Sequence, residues 1–419
     1  MRFHTEGHRF IFSDGPDANF LSVSAALYNI VHKSNNTEVI FDFSQVSYLE
    51  PRIVVPLITI ARSYRIENVH FEIITPEDRK LRELFHNANW SHLIAPEKYE
   101  PRDDKNLKHL SAIQYRTGDE QYSAVDRCLQ TIIRSIPGVN RKAVRALEWS
   151  LSEITDNVLN HAESHIGGIL QVMTFPKRKL IEIYVCDAGM GIPRSLRMGQ
   201  PDLTDHVTAL REAIKEGVTR NKTTNQGNGL FGAYRCSSLS GGEFEIYSGN
   251  AHLRRAAGTL RVSKTGIPAR GTFIRACINY SMERLLEEAF VFKNVKYDFP
   301  HDYIDKVYRR ETDDIHFVMI REAASFRSRE AGKSVRINIM NITDGYKEKL
   351  NFDFMGVHVI SSSFADEVFA KIFLEIGESR FAKIFSFMNI EETVMILINR
   401  SIRLRKKSSN EKEIDISGV

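Results

Sequence analysis

The stretch Glu153-Ile154-Thr155-Asp156-Asn157 is the first of three short patches that decide how the middle of this chain folds. The second patch is Asp187-Ala188-Gly189-Met190-Gly191, and the third is Gly227-Asn228-Gly229-Leu230-Phe231-Gly232. Each patch is a weak signal by itself, because acidic helix faces and glycine turns are common. Their order along the chain, and the elements that should carry them, make the set informative.

The first patch belongs to a helix that the sequence predicts from Arg141 to about Ser164. Glu153 and Asn157 are one helical turn apart, so their side chains should share a face of this helix. A carboxylate in such a place can act as a general base, and an amide oxygen can ligate Mg²⁺. A solvated helix face is the alternative interpretation of this patch taken alone. The stripe that would bury the helix consists of Leu147, Leu151, Ile154 and Val158.

The second patch follows two apolar β-runs, Gly168 to Phe175 and Leu180 to Cys186, which are joined by a polar turn. Asp187 comes at the end of the second run, where a carboxylate can accept a hydrogen bond from an exocyclic amine. Gly189 and Gly191 would let the backbone approach a flat ligand closely. A plain turn after a strand is the alternative at this position.

The third patch, with Gly227, Gly229 and Gly232, fits the spacing G-x-G-x-x-G. A Rossmann site is disfavoured, because residues 220–226 before it are polar and lack the sequence pattern of a buried strand. A glycine loop that opens a helix still offers free N–H groups and a helix dipole to a phosphate. The run from Ile192 to Gln226 has the length and composition of a lid, in which Arg220 and Lys222 could meet phosphates.

In this order, and followed by Gly271-Thr272-Phe273, the patches resemble the GHKL ATPases: gyrase, Hsp90, MutL, histidine kinases and anti-sigma-factor serine kinases. The resemblance implies an α/β sandwich with a mixed, mostly antiparallel sheet and helices on one face. It implies ATP and Mg²⁺ as cofactors, with Glu153 as the catalytic acid residue and Asn157 as the magnesium ligand. It also implies that Asp187 binds the adenine amino group, that Thr272 helps to hold adenine through water, and that the glycine loop caps the triphosphate.

A faint repeat flanks these patches. Phe41-Asp42-Phe43 and Phe352-Asp353-Phe354 each end an apolar β-run, and each is followed by a loop and a helix-like run. Both copies resemble the STAS fold of anti-sigma-factor antagonists. In the first copy the loop reads Glu50-Pro51-Arg52 and lacks the family's serines. In the second it reads Ser361-Ser362-Ser363, so the resemblance implies a phosphoacceptor at Ser362 or Ser363.

We therefore predict the α/β (α+β) class, with a STAS-like domain at 1–100, a GHKL-type ATPase domain at 106–290, a second STAS-like domain at 291–405 and a flexible tail at 406–419. The resemblance favours a regulatory ATPase or serine/threonine kinase of the partner-switching type found in bacterial signalling. A sensor histidine kinase is disfavoured, because the helix predicted from Tyr122 to Ile136 contains no histidine. The alternatives are a nucleotide-gated interaction module without catalysis, or an ATPase switch in a larger phage-defence or DNA-associated assembly.

The composition agrees with a cytoplasmic protein. The 419 residues are 42% hydrophobic and 26% charged, and the formal net charge of +4 neither demands nor excludes nucleic acid. No segment has the apolar length of a signal peptide or a membrane helix. The four cysteines are scattered, as expected for buried thiols in a reducing compartment. STAS-like or sigma-factor-regulator-like proteins are the expected partners, and a homodimer is possible; nucleic acid is not indicated.

Overall fold

The computed structural model describes residues 1–15, 20–102, 111–219, 228–282, 288–289, 291–292, 295–296, 303–309 and 314–415. The chain contains both helices and strands, and the strands form several sheets. This confirms the predicted α+β class. The chain forms two compact units. The first comprises Met1–Leu129 and Ala146–Tyr297, and the second comprises Gln130–Arg145 and Asp298–Val419.

The N-terminal part of the first unit is a four-stranded sheet with helices. Its sheet has the order β1-β2-β3-β4, antiparallel between β1 and β2 and parallel in the other two pairs. Parallel neighbours need crossover connections, which α1 and α2 supply. The elements are β1 (Arg2–Glu6), β2 (Arg9–Ser13), α1 (Phe20–Tyr28), β3 (Glu38–Gln45), α2 (Pro51–Ile66), β4 (His70–Ile74), α3 (Arg79–Asn87) and α4 (Trp90–Ile94).

Helix α2 is buried on nearly all sides. Pro51 begins it, as suits a residue whose fixed φ favours the first helical turn. Five apolar side chains within two turns are at most 5% exposed, which is more than one face of a helix can hold. The reason is that α2 has a sheet on either side, contacting β4 of its own sheet and strands β6 (Gly168–Phe175) and β7 (Leu180–Asp187) of the next. These side chains are Ile53, Val54, Val55, Leu57 and Ile58.

The second sheet of this unit has the order β5-β6-β7-β9-β8. Its strands are β5 (Ile113–Tyr115), β6, β7, β8 (Phe244–Ala256) and β9 (Thr259–Asn279). The expectation was a mixed, mostly antiparallel sheet, and the described pairings are all antiparallel. The helices around this sheet are α5 (Gly118–Ser135), α6 (Arg141–Asn157), α7 (Ile192–Gly199), α8 (His206–Ala213) and α9 (Gly229–Leu239).

The two sheets of the first unit share one hydrophobic core. Ile169, Tyr184 and Phe273 of the second sheet belong to the same buried cluster as the phenylalanines of the first. Trp90 of α4 donates a hydrogen bond from Nε1 to the buried side-chain oxygen of Gln171 in β6, at 2.9 Å. The segments 1–100 and 106–290, predicted as two domains, therefore share one core in the structure, and helices α1 and α2 of the first segment contact strands of the second sheet.

The second unit contains a parallel sheet. Its strands β12 (Ile315–Val318), β13 (Leu350–Asp353) and β14 (Phe385–Met388) lie in that order. The first unit also contains two antiparallel strands of two residues each, β10 (Val291–Phe292) and β11 (Val295–Lys296). The helices of the second unit are α10 (Tyr303–Tyr308), α11 (Met319–Glu322), α12 (Arg329–Ile342), α13 (Ser362–Ala365), α14 (Lys371–Ile376), α15 (Glu378–Ile384) and α16 (Glu392–Asp415).

Helix α16 continues to Asp415, so the structure describes a helix over residues 406–415, the start of the tail that the sequence predicts to be flexible at 406–419. Five of residues 406–415 are lysine or glutamate, which favour a helix, and none of these ten residues is glycine or proline. Among the described residues, no helix has the length and apolar character that crossing a membrane requires.

Candidate functional site

One cavity of about 320 Å³ in the first unit collects most of the predicted site residues. Helix α6, the end of β7, the start of α9 and strand β9 all contribute to its wall. The predicted residues that line it are Glu153, Asn157, Asp187, Gly191, Gly229 and Thr272. Gly189 and Gly232 do not line it, and Gly227, like Arg220 and Lys222, lies outside the described residues.

Helix α6 presents Glu153 and Asn157 to the cavity from adjacent turns, as their spacing predicted. The helix ends sooner than expected, at Asn157, and is followed by a π-helical turn, Val158–Ala162. Such turns are rare and often occur at functional sites. Burial raises the pKa of the Glu153 carboxyl to about 7, and the negative charge of Asp156 adds to the effect. A carboxyl with this pKa can take up and release a proton near neutral pH.

Asp187 is the buried carboxyl of the cavity. It is the last residue of β7, and it is 3% exposed. Its Oδ1 accepts a hydrogen bond from the backbone N–H of Gly189 at 2.8 Å. Burial raises the pKa of Asp187 to about 7. Hydrogen bonds from Gly189 and Thr272 favour the charged form and oppose this rise only in part. A buried carboxylate of this kind gains from any additional donor that a ligand brings.

The glycines after β7 are required by close packing. A β-carbon at Gly189 would stand 2.0 Å from the carbonyl oxygen of Ala162, in the π-helical turn. The backbone N–H of Met190 donates to that same oxygen at 2.8 Å. Gly191 has φ +77°, and a β-carbon there would stand 2.7 Å from Oγ of Ser248. The sequence analysis assigned both glycines to ligand approach, whereas the geometry assigns Gly189 to the contact between two chain segments.

Helix α9 begins at Gly229, so the third patch opens a helix as predicted. Asn228, Gly229 and Leu230 line the cavity, and the N-terminus of α9 therefore opens onto it. The Cα of Gly229 lies against Glu153, because a β-carbon there would be 2.2 Å from Oε2 of that side chain. Gly232, one turn later, lies against the ring of Trp149 in α6. The start of a helix is a favourable place for an anion.

Ser248, which the sequence analysis did not name, contacts two residues of the cavity wall, Ile192 and Thr272. Its Oγ accepts a hydrogen bond from the backbone N–H of Ile192 at 2.8 Å and lies 3.1 Å from Oγ1 of Thr272 and from the carbonyl oxygen of Gly271. It therefore ties the start of α7 to strand β9. No local motif marks it, since a serine in a strand is common.

The segment predicted as a lid contains two short helices in its described part, residues 192–219. Helices α7 and α8 come from this run, and side chains from it line the cavity. Ile192 and Leu196 stand at i and i+4, and this helical apolar spacing could have predicted α7. The lining residues of the run include Ile192, Ser195, Leu196, Ala213 and Thr219.

Within the described residues, no three histidine, cysteine, aspartate or glutamate side chains form a group that could hold a metal ion. Magnesium bound with a nucleotide does not need such a group, because one or two protein ligands, waters and phosphate oxygens usually complete its shell. The amide oxygen of Asn157 is suited to this role.

The serine loop of the second unit, Ser361 to Ser363, follows β13 and runs into α13, which begins at Ser362. Ser361 caps α13, because its Oγ accepts a hydrogen bond from the N–H of Phe364 at 3.1 Å. Ser362 is exposed, and the Oγ atoms of Ser361 and Ser363 are 3.0 Å apart. The role of helix cap therefore falls to Ser361, and the hydroxyl that solvent reaches most freely is that of Ser362.

Comparison with protein families gives one match. Residues 331–395 match the family described as a STAS-like domain of unknown function (DUF4325). The match covers the serine loop, strand β13 and the helices α13 to α15. It bears out the STAS-like resemblance of the C-terminal part of the chain. No curated protein matches the sequence.

Proposed function

We propose that the cavity binds ATP with Mg²⁺ and that the chain is a regulatory ATPase or serine/threonine kinase of the partner-switching type. The observation that carries this proposal is the convergence of three separated sequence patches on one cavity. Glu153, Asn157, Asp187 and Gly229 come from three elements and line a single space. Its volume of about 320 Å³ lies at the lower end of the range for small-molecule sites.

The chemistry of the two ends of the cavity fits an adenine nucleotide. Asp187, with Thr272 beside it, offers a buried acceptor for the exocyclic amine of adenine. The N-terminus of α9 offers backbone N–H groups to phosphates. Mg²⁺, held by Asn157 and phosphate oxygens, would neutralise charge on the phosphates. A nucleotide would therefore lie with its base at the end of β7 and its phosphates between α6 and α9.

Glu153 is the residue that would move a proton. It would accept the proton of a serine hydroxyl or a water molecule as that oxygen bonds to the γ-phosphorus, while the bond to the β-phosphate oxygen breaks and ADP leaves. Its pKa of about 7 suits a general base near neutral pH. The STAS-like family match supports a partner-switching role at the coarse level, since a STAS-like domain is the kind of protein that such kinases modify or bind.

The test is incubation of the purified chain with γ-labelled ATP and Mg²⁺, together with calorimetry. Label on the protein supports a kinase, and label released as phosphate supports an ATPase. Label that stays in bound ATP supports a nucleotide-gated interaction module. The absence of ATP binding by calorimetry would overturn the proposal, and equal affinity for GTP would overturn the role given to Asp187.

A further inference from the structure

The long hairpin of β8 and β9 extends past its sheet. Strand β9 pairs with β7 only over Thr272 to Asn279, whereas it pairs with β8 as far as the turn. Residues 249–256 and their partners therefore form a two-stranded ribbon, roughly 25 Å long at the usual rise per residue. The turn is tight, because Ala257 and Gly258 both have positive φ, as two-residue hairpin turns require.

The ribbon is basic, and its own sequence contains no acidic residue that would balance the positive charge. From Ile246 to Met282 the sequence contains no aspartate or glutamate. The distal ribbon contains four cations, Arg254, Arg255, Arg261 and Lys264. Of these, Arg254, Arg261 and Lys264 are exposed. In the described part of the structure, neither Arg261 nor Lys264 has an ion-pair partner.

The two faces of the ribbon differ. Ala251 and Leu253 are fully buried, and the segment carrying them contacts α8. Alternation along the strand places Arg254 on the opposite, outward face. Arg254 is directly opposite Arg261 in the register, and Ser263 is two residues further along the same face.

Like charges directly opposite each other on two paired strands are destabilising, so the pair of Arg254 and Arg261 lowers the stability of the fold. Glu243 relieves it only in part: it lies 3.4 Å from Nη2 of Arg254 and 2.9 Å from Nη1 of Arg275, which it also neutralises. A polyanion on the outward face would relieve the repulsion fully.

We propose that this ribbon binds the phosphate backbone of double-stranded DNA through its outward face, with Arg254 and Arg261 as the principal contacts. The major groove of a duplex admits a two-stranded β-ribbon. Hydroxyl side chains interleaved with arginines, here Thr259 and Ser263, are typical phosphate ligands. The tip, Ala256 to Leu260, carries no aromatic residue of the kind that anchors a protein in a membrane interface. The proposal does not depend on the nucleotide site.

The experiment measures binding of the full chain to a fluorescently labelled duplex oligonucleotide by anisotropy, over a series of salt concentrations. The double variant Arg254→Ala/Arg261→Ala should bind at least about tenfold more weakly at low salt, and its plot of log K against log salt should be shallower by about 2, since each phosphate contact contributes about 0.9. The matched control is Lys177→Ala/Arg178→Ala, which removes two exposed cations from the turn between β6 and β7. The control should bind as the wild type does.

Several results would overturn the proposal. They are no salt-dependent duplex binding by the wild type, equal binding by wild type and double variant, or an equal loss in the control. Vesicles rich in anionic lipid serve as a competing probe. Ribbon-dependent binding to vesicles without binding to the duplex would assign the surface to a membrane instead. Arg261→Ala alone, which breaks no ion pair, and the thermal melting temperature of each variant exclude an effect through folding.

Discussion

A β-carbon at Gly229 would stand 2.2 Å from Oε2 of Glu153, so the first residue of α9 and the proposed catalytic carboxylate are in direct contact. The sequence does not indicate this contact, because the two residues are far apart in the chain. The contact fixes the carboxylate at the N-terminus of a helix, beside the place proposed for the phosphates. It also makes the effect of a single methyl group at position 229 predictable.

Gly229→Ala should impair activity more than folding. The added methyl group displaces the end of the flexible Glu153 side chain, and a shift of about 1 Å at a reacting group can cost about a hundredfold in rate. The free energy of unfolding should change by less than about 1 kcal/mol, because alanine favours a helix. Turnover of labelled ATP and thermal melting measure the two effects.

Gly232→Ala is the contrasting variant. A β-carbon there would be 2.3 Å from Cζ3 of Trp149, and an indole ring cannot rotate aside as a carboxylate can. We expect overpacking to lower the free energy of unfolding by about 1–3 kcal/mol. If the two alanine variants had the same stability and the same activity, the contact between Gly229 and Glu153 would have no special role.

Glu153→Gln should keep ATP binding and lose turnover by about a hundredfold to ten-thousandfold, the usual contribution of a general base. The amide has the shape of the carboxylate but accepts no proton at neutral pH. Calorimetry and release of labelled phosphate, or its transfer to protein, separate the two properties. A glutamine variant as active as the wild type would remove Glu153 from the catalytic role.

The activity should rise with pH through about 7, because Glu153 acts as a base only when it is ionised. Asp156→Asn removes the neighbouring negative charge that helps to raise this pKa, so the midpoint of the pH–rate profile should move to lower pH. The exposed Asp119, at the start of α5, provides the control, and Asp119→Asn should leave the midpoint unchanged. An unchanged midpoint in the Asp156 variant would mean that another group governs the profile.

The burial of Asp187 should make the free energy of unfolding of the protein without ligand depend on pH. The pKa of Asp187 is raised from 3.8 to about 7 in the folded state, so the folded chain binds more protons than the unfolded chain between these values. Its contribution to the free energy of unfolding is therefore complete below about pH 4 and is lost as the pH rises through 7. Asp187→Asn should flatten this part of the stability profile measured by denaturant titration. Glu153, with a folded pKa of about 7, accounts for a slope that remains.

The same substitution should weaken adenine nucleotides by about 1–3 kcal/mol, the scale of a lost hydrogen bond to a charged group. The wild type should bind ATP more tightly at about pH 8 than at about pH 6, because the carboxylate is the better acceptor. Calorimetry at both pH values checks this, with Asp187→Asn as the variant that should lose the difference. Undiminished affinity in the variant at both pH values would place adenine elsewhere.

The sequence predicted the local parts of the fold and site well. The helical spacing of Glu153 and Asn157, the strand end at Asp187 and the helix start at Gly229 each depend on a few neighbouring residues. Long-range packing was beyond such patterns. Nothing near Gln171 indicates that its side chain receives a hydrogen bond from Trp90, 81 residues earlier, and so the shared core of the first unit was missed.

Two further segments carry local signals that the sequence analysis did not use. The charged tail was taken as flexible, although lysine and glutamate, which are strong helix formers, make up five of residues 406–415. The polar run after Ile192 was interpreted as a lid, and the spacing of Ile192 and Leu196 also predicts its first helix. Two features indicate the ribbon of β8 and β9. They are the absence of acidic residues from its sequence and the tight turn at Ala257 and Gly258.

The serine loop of the second unit supplies the last prediction, which rests on the STAS-like resemblance of this part of the chain. We expect phosphate on Ser362 or Ser363 after incubation with ATP, either alone or with a related kinase. Asp366 and Glu367 follow in the sequence, and their negative charges alone would oppose an added phosphate. In the structure Asp366 is ion-paired with Arg329 and Arg405.

Glu367 is likewise paired, with Arg329, Arg336 and Lys371, so the carboxylates beside the loop are already balanced by cations. A phosphate adds about −1.5 to −2 charge at the start of a helix, where the dipole favours it. Ser361→Ala should cost about 1 kcal/mol through the lost cap, and should leave the modification in place. Ser362→Ala/Ser363→Ala should abolish the modification with less effect on stability. Mass spectrometry of the three proteins decides between the roles, because an unmodified wild type, with and without partners, leaves the loop as a helix cap only.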